Sequence, residues 1–403
     1  MNLNRRQFLQ TSAIAAAGLA LDRNATAQTN VKIQKIEAFP LVYPTIGRFK
    51  FFEGPKGRPS GRAAVLIKIT ADNGTIGWGQ SVPVPKWSYE TLETVYSTIT
   101  QYLAPELIGV DPCDSKTIQS LMKGAIAPSF STGQPICKAG VDIALCDLCA
   151  KLSNQNVAKN WKRKGRDKIT LSWTLNPRTL DEIPALIDQG KARGYKNFNV
   201  KISPDPRFDL ELCRTVKRLV PDGFLWADAN GGYDEATALE VAPKLADIGV
   251  NVFEQPIPAN RLTGYGRLKK QGALPIIMDE GVVSSVELEE FIKLKLLDGV
   301  AMKPARCGGI TEARHQIEII KNEGLMFLGS GLTDPDVSLA ASLILFGAYD
   351  LKYPAALNAP QFIDHSILKH PFKVENGELA APTGPGLGVE VDEEKVKALL
   401  VKI

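Results

Sequence analysis

From Ile169 onward the chain alternates short, near-continuous apolar runs with longer segments whose apolar positions recur at helical spacing. ITLSWTL, NFNVKIS, FLWADAN, NVFEQP, PIIMDE, GVAMKPA, LMFLGS and YPAAL are the apolar runs, and LDEIPALIDQGKARG and SSVELEEFIKLKL exemplify the segments between them. Strands apolar on both faces, separated by amphipathic helices, suit a parallel sheet covered on both sides. Eight such units predict a closed barrel. An open doubly wound sheet is the alternative, but no glycine-rich dinucleotide fingerprint follows an early strand. Gly331 and the Gly308-Gly309 pair do not make one.

Ahead of the barrel the pattern changes. VKIQKIEAFPLVYPT and AAVLIKITADNGTIGWGQ read as strands, with Asp72-Asn73-Gly74 as a hairpin turn. Helical periodicity follows over 88–107 and 115–123, which predicts an α+β unit spanning 30–150. The basic, Gly- and Pro-containing segment 48–61 is expected to form an exposed loop, and the cap's substrate-facing side chains are expected between Lys50 and Gly61 and near Pro83 to Trp87. Residues 151–360 then make the barrel, and 361–403, with Asn376-Gly377 and a Gly/Pro stretch, return to the first unit.

The first 29 residues stand apart. Arg5-Arg6 with Phe8 and Leu9, an apolar stretch to Leu21 and the small residues Ala25-Thr26-Ala27 resemble a twin-arginine export signal. The apolar part is too short to span a bilayer, so the mature chain is expected to lie in the periplasm or otherwise outside the cytoplasm, without a stable membrane anchor. Composition, at 44% hydrophobic and 23% charged, is that of a globular protein. A net charge of +4 with no basic stripe argues against nucleic acid as a partner. The six cysteines form no secreted disulfide pattern, and Cys146 and Cys149, in an apolar helical segment, read as small buried hydrophobes.

Candidate chemistry sits at the ends of the apolar runs. Asp228, Glu254 and Asp279 close three successive runs, spaced 26 and 25 residues apart, about one strand-helix repeat. Barrel sites lie at the carboxyl ends of strands. Three carboxylates converging there need a counter-charge, and an all-oxygen set favours Mg²⁺ over zinc. Glu280, next to Asp279, is a second candidate ligand. Lys201 and Lys303 end the second and sixth runs, across the barrel from each other. Shielded from water beside a cation, a lysine is usable as a base. Trp173 and Trp87 are candidates for the pocket wall, as is Asn230.

NVKIS, WADAN, FEQP, MDEG and MKPARCGGIT, with AGVDIALCDLCAK before them, together resemble the enolase superfamily, and within it the mandelate racemase and muconate lactonizing enzyme family. The likeness covers essentially all of the mature chain. It implies a modified TIM barrel, (β/α)7β, with an α+β capping domain built from both termini. It also implies Mg²⁺ on Asp228, Glu254 and Asp279, proton removal α to a substrate carboxylate through an ene-diolate, and a homo-oligomer. Lys201 and Lys303 place the chain nearest the lysine-lysine, muconate lactonizing enzyme-like subgroup.

Departures from the family pattern narrow the expectation. Asn199 stands where the family often has the first lysine of Lys-x-Lys, a substrate-positioning place. His315, His365 and His370 are the only histidines, and none follows the seventh run, so a histidine base is disfavoured. Asp334 and Asp336 precede a helical run and fit N-terminal capping. PAALNAPQF lacks the Asp-x-Asp pair of dipeptide epimerases. Two opposed lysines without an evident leaving-group acid lead to a Mg²⁺-dependent racemase or epimerase of a small organic acid. A hydroxy-acid dehydratase or a lactone-forming cycloisomerase is the alternative, and a noncatalytic exported carboxylate-binding protein is a third reading.

Overall fold

In the computed structural model, residues 31–52, 61–128, 132–161, 163 and 165–403 are described. The export-like segment lies outside them. Three antiparallel strands come first, β1 (Ile33–Tyr43), β2 (Arg62–Ala71) and β3 (Ile76–Ser81), joined β1-β2-β3. Asp72-Asn73-Gly74 makes the expected turn, with the Gly74 N–H donating to Ala71 O at 2.9 Å. Helices α1 (Leu92–Thr98), α2 (Ser115–Ala125) and α3 (Pro135–Leu152) follow. Helix α1 starts four residues later than the periodicity suggests, because Thr91 and Thr94 form a reciprocal capping box there.

Helix α3 lies across the sheet and is apolar nearly all round, which suits its burial between sheet and barrel. Gly79 of β3 permits the approach: a Cβ there would come within 2.6 Å of the Ala144 backbone nitrogen. Cys149, near the end of α3, is bonded to Cys113, which precedes α2. This corrects the expectation of unbridged cysteines. A separation of 36 residues with no local motif hides the pairing from a reader of the chain. Cys146 stays free and half-buried.

The barrel strands are β5 (Ser172–Leu175), β6 (Asn197–Lys201), β7 (Leu225–Asp228), β8 (Val252–Glu254), β9 (Ile276–Met278), β10 (Gly299–Met302) and β11 (Met326–Gly329), all parallel and in sequence order. The first expected run is split. Its front half forms β4 (Lys168–Thr170), which pairs antiparallel with β12 (Glu378–Ala380) from the returning tail. The eighth run closes the ring by single bridges, Leu171 to Ala355 and Ser330 to Ala356. The outcome is the modified TIM barrel with an α+β cap. The tail also meets the cap directly, through bridges from Leu41 to Leu400 and Thr45 to Ile363.

Two layers of apolar contact hold the barrel. Trp226, Val252, Ile277, Ala301 and Leu328 fill its interior, while a larger cluster packs strands against the surrounding helices. One carboxylate locks cap to barrel. Asp142 of α3 accepts from the Thr311 N–H at 3.0 Å, at the start of helix α9 (Ile310–Asn322, counting α4 to α8 as the five helices from Ile183 through Lys293). A negative charge suits that end of a helix. Gly309, at φ 108°, leaves room for it, since a Cβ there would lie 2.6 Å from Asp142 Cβ.

Candidate active site

Parallel register places the charged residues on one rim. Lys201 pairs with Asp228 across β6 and β7, and Asp228 with Glu254 across β7 and β8. Asp279 follows β9 directly. Asp228, Glu254 and Asp279 each offer an oxygen, all within 4.8 Å of one another, and all three residues are buried. Carboxylates this close repel. Burial, then Asp228 and Asp279, push the Glu254 carboxyl well above the usual carboxylate range. Glu254 Oε1 is buried without a hydrogen-bond partner. An oxygen-only triad with an unsatisfied buried carboxylate fits a hard divalent cation such as Mg²⁺.

The lysines flank the triad. Lys201 Nζ donates to Asp228, Lys303 Nζ donates to Asp279, and Arg306 Nη1 donates to Asp279 as well as to Ala301 O at 2.8 Å. Burial alone would raise the Asp279 pKa, but Lys303 and Arg306 outweigh it and hold the carboxyl down at about 2. Burial alone would likewise discharge Lys201, yet Asp228 and Glu254 keep its ammonium well above the usual lysine value. Each lysine carries an aromatic lid from the cap. Lys303 Nζ is 4.8 Å from the Trp87 ring centroid and Lys201 Nζ is 5.9 Å from that of Phe49.

The neighbouring candidates divide. Asn230, held at φ 47°, donates from its backbone N–H to Asp228 Oδ1 at 2.8 Å and from Nδ2 to Asp228 Oδ2 at 3.0 Å, so it orients that carboxylate while lining the cavity. Asn199 also lines the cavity, and its Oδ1 accepts from Thr174 Oγ1 at 2.8 Å. Thr174 in turn accepts from Asn358 Nδ2 at 3.3 Å, which makes a neutral amide wall where the family pattern has a cation. Glu280 is half-buried, its pKa driven up by desolvation and then by Asp279, and it stands outside the triad.

Trp173 is a correction. Strand alternation turns Thr174 inward and Trp173 outward, where Trp173 packs 5.0 Å from the Tyr195 ring in the strand-helix core and lines no part of the cavity. Asp334 and Asp336 are another, since neither side chain caps the following helix (α10, Asp336–Ala348). Asp334 Oδ1 accepts from the Leu332 N–H at 3.1 Å, and Asp336 Oδ2 from the Ile367 N–H at 2.9 Å. His315 and His365 are exposed, away from the site.

Several residues were not named individually from the sequence, although Lys50 and Phe52 fall in the stretch expected to face the substrate. Phe49 and Phe52 are buried, although they open the segment expected to be exposed, and they pack on Phe362. Three phenylalanines in an otherwise basic loop were the available signal. Burying such a ring contributes roughly 1.5–3 kcal/mol. Lys50, beside them, has its pKa lowered to about 8 by burial and then by Lys201. Gln255 was hidden in FEQP: its Oε1 accepts from the Asp279 N–H at 3.0 Å and the Gly281 N–H at 3.1 Å, fixing the third carboxylate.

Comparison with known proteins gives the assembly its relatives. Residues 182–395 match the enolase C-terminal domain-like family, and residues 58–159 match the N-terminal domain of mandelate racemase / muconate lactonizing enzyme. The chain belongs to the mandelate racemase/muconate lactonizing enzyme family of the enolase superfamily. Within that family it is 32% identical to a chloromuconate cycloisomerase of Cupriavidus necator over 339 residues, 83% of this chain and 90% of the relative. It is 26% identical to muconate cycloisomerase 1 of Rhodococcus opacus over 375 residues, 92% and 98% of the two chains. The crystal structure of 2-chloromuconate cycloisomerase from Rhodococcus opacus 1CP superposes with a TM-score of 0.84 at 28% identity, covering 93% of this chain and all of that one. The protein is an enzyme of the isomerase or lyase type, with a triad placed to hold a divalent metal.

These relatives overturn the racemase or epimerase expectation, because they are cycloisomerases. The physical source of that error is plain. Two lysines around an α-carbon serve any reaction that begins or ends with proton transfer there. The lysines therefore do not distinguish inversion from ring closure.

Proposed function

We propose that the protein is a Mg²⁺-dependent cycloisomerase of the lysine-lysine subgroup, interconverting a muconate-type unsaturated dicarboxylate and its lactone. The observation that carries this reading is the run of cycloisomerase relatives aligned over most of the chain, joined to a site with lysines on both sides of the triad. Bound Mg²⁺ would be held by Asp228, Glu254 and Asp279 and would supply charge stabilisation to the substrate carboxylate as it takes up enolate character.

In ring closure, one substrate carboxylate oxygen bonds to an alkene carbon, and the displaced π pair moves toward the carbon α to the other carboxylate. That carbon then accepts a proton, so the dianion takes up one proton and becomes the lactone monoanion, and the neutral acids of the two are isomers. The Lys201 ammonium, kept charged by Asp228 and Glu254, is suited to deliver that proton, and Lys303 faces the site from the other side. In the reverse direction the same lysine nitrogen takes the α-proton as the ring opens. Phe49 and Trp87 keep water off both ammonium groups. Incubation with cis,cis-muconate and Mg²⁺, followed by NMR, tests the reading: a lactone should accumulate, and an unchanged diene at high enzyme concentration contradicts it.

Export by the twin-arginine route and assembly into a homo-oligomer belong to the same proposal. The Cys113–Cys149 bond supports the first, since such bonds persist in oxidising compartments. Fractionation of expressing cells, with the mass of the mature chain, tests export. Light scattering tests assembly.

A further inference from the structure

Where the barrel closes, three polar side chains meet in one line of hydrogen bonds. Thr174 and Asn199 are register partners on β5 and β6, and Asn358 follows the eighth run. Thr174 Oγ1 donates to Asn199 Oδ1 at 2.8 Å and accepts from Asn358 Nδ2 at 3.3 Å. Gln361 clamps the Thr174 backbone: its Oε1 accepts from the Thr174 N–H at 3.0 Å and its Nε2 donates to Thr174 O at 2.8 Å. Thr174, Asn199 and Asn358 are all more than nine-tenths buried.

Both asparagines line the cavity and Thr174 does not, so the threonine hydroxyl stands behind the two amides. Its single proton goes to Asn199, and one of its lone pairs serves Asn358. The Asn199 amide then has a donor, Nδ2, left for a ligand, and the Asn358 amide has an acceptor, Oδ1. Asn358 Oδ1 is closed off from water and has no hydrogen-bond partner among the described residues. A buried carbonyl oxygen in that state is costly. Exchanging O and N in both amides reverses the line but leaves the same pair, one donor and one acceptor, because a hydroxyl has one proton.

A carboxylate at this place sets acceptor against acceptor, and a bare methylene leaves both amide ends unpaired. A hydroxyl matches both. It donates to Asn358, accepts from Asn199 and, with Thr174 behind, completes a ring of four hydrogen bonds in which each member donates once. Asn199 shares its face of β6 with Lys201, two residues further on, so the pair lies on the Lys201 side of the cavity.

We propose that the preferred substrate is a muconate-type diacid carrying a hydroxyl group, and that Asn199 and Asn358 bind that hydroxyl. This rests on the cycloisomerase reading and narrows its substrate class. With Thr174 held by Gln361, the amides are set before the ligand arrives, which keeps the ordering cost small.

The test uses saturated ligands that cannot be cyclised. Isothermal calorimetry with Mg²⁺ on the full chain compares each enantiomer of 3-hydroxyhexanedioate with those of 3-methylhexanedioate, which match it in size. One hydroxy enantiomer should bind at least about tenfold tighter than either methyl compound, the gain from pairing a buried acceptor. Asn358→Leu should bring that ratio down to about one, and Asn199→Leu serves if the first variant does not fold. Hydroxy compounds that bind no tighter than the methyl ones overturn the proposal. So does a preference that survives the substitution, since the hydroxyl then sits elsewhere, as on the metal. A preference that the substitution removes, with no lactone from muconate or hydroxymuconate, upholds the hydroxyl subsite and rejects the cycloisomerase reading instead.

Discussion

Lys303 Nζ lies 4.8 Å from the centroid of the Trp87 ring while donating to Asp279, so a barrel ammonium is held between a carboxylate and a cap aromatic. The reactive group therefore belongs to both domains. An aromatic face attracts a desolvated cation by about 2 kcal/mol. Trp87→Ala should lower turnover roughly tenfold or more, and Trp87→Phe should recover part of it. Steady-state kinetics with the two variants checks this; equal rates for wild type and Trp87→Ala would show the ring to be packing only.

Lysine removal should be far costlier. Lys201→Ala and Lys303→Ala are each expected to lower turnover by about 10²–10⁴-fold, the usual contribution of a positioned acid or base. The readout that separates their roles is exchange of the α-proton of the lactone with deuterated solvent. The variant that loses exchange identifies the proton-transferring lysine, and retention of exchange in both would remove the lysines from that role.

Glu254 is the member of the triad most at odds with its surroundings. Its charge is opposed by burial and by Asp228 and Asp279. Glu254→Gln should therefore raise thermal stability in the presence of a chelator, by relieving that repulsion, while weakening the stabilisation that Mg²⁺ gives the wild type through binding the folded state. Melting temperatures with and without Mg²⁺ check both halves. A variant that still gains as much from Mg²⁺ as the wild type would place the metal elsewhere.

Glu90 gives a pH signature away from the metal. It accepts from the Ile136 and Cys137 N–H groups at 2.8 and 2.7 Å, and burial pushes its pKa up to about 7 from an ordinary 4.5. The folded protein then holds a proton that the unfolded chain releases. Its contribution is complete below pH 4.5 and is lost as pH rises toward 7, with a slope of up to ~1.4 kcal/mol per pH unit. Urea denaturation from pH 4.5 to 8 should show a shallower decline for Glu90→Gln than for wild type. Parallel profiles would contradict the assignment.

The barrel was legible because its strands are short, apolar and end in charge. Parallel register then converts sequence spacing into one rim, so Asp228, Glu254, Asp279, Lys201 and Lys303 could be read in advance. What escaped depends on relationships the spacing does not carry. Trp173 looked like a pocket residue until the pleat decided that Thr174 faces in. Cys113 and Cys149 meet only because α2 and α3 fold together. Phe49 and Phe52 are buried by Phe362, more than three hundred residues later. The reaction itself was misread, since ring closure and inversion share their proton-transfer groups.

Deuterium incorporation during ring closure tests the central claim most directly. With cis,cis-muconate and Mg²⁺ in deuterated water, NMR and mass spectrometry should show a lactone carrying one deuterium at the carbon α to the free carboxylate, with none formed when Mg²⁺ is chelated. Lactone that forms equally well under chelation, or muconate that stays unchanged with active-site lysines and metal in place, would contradict the account.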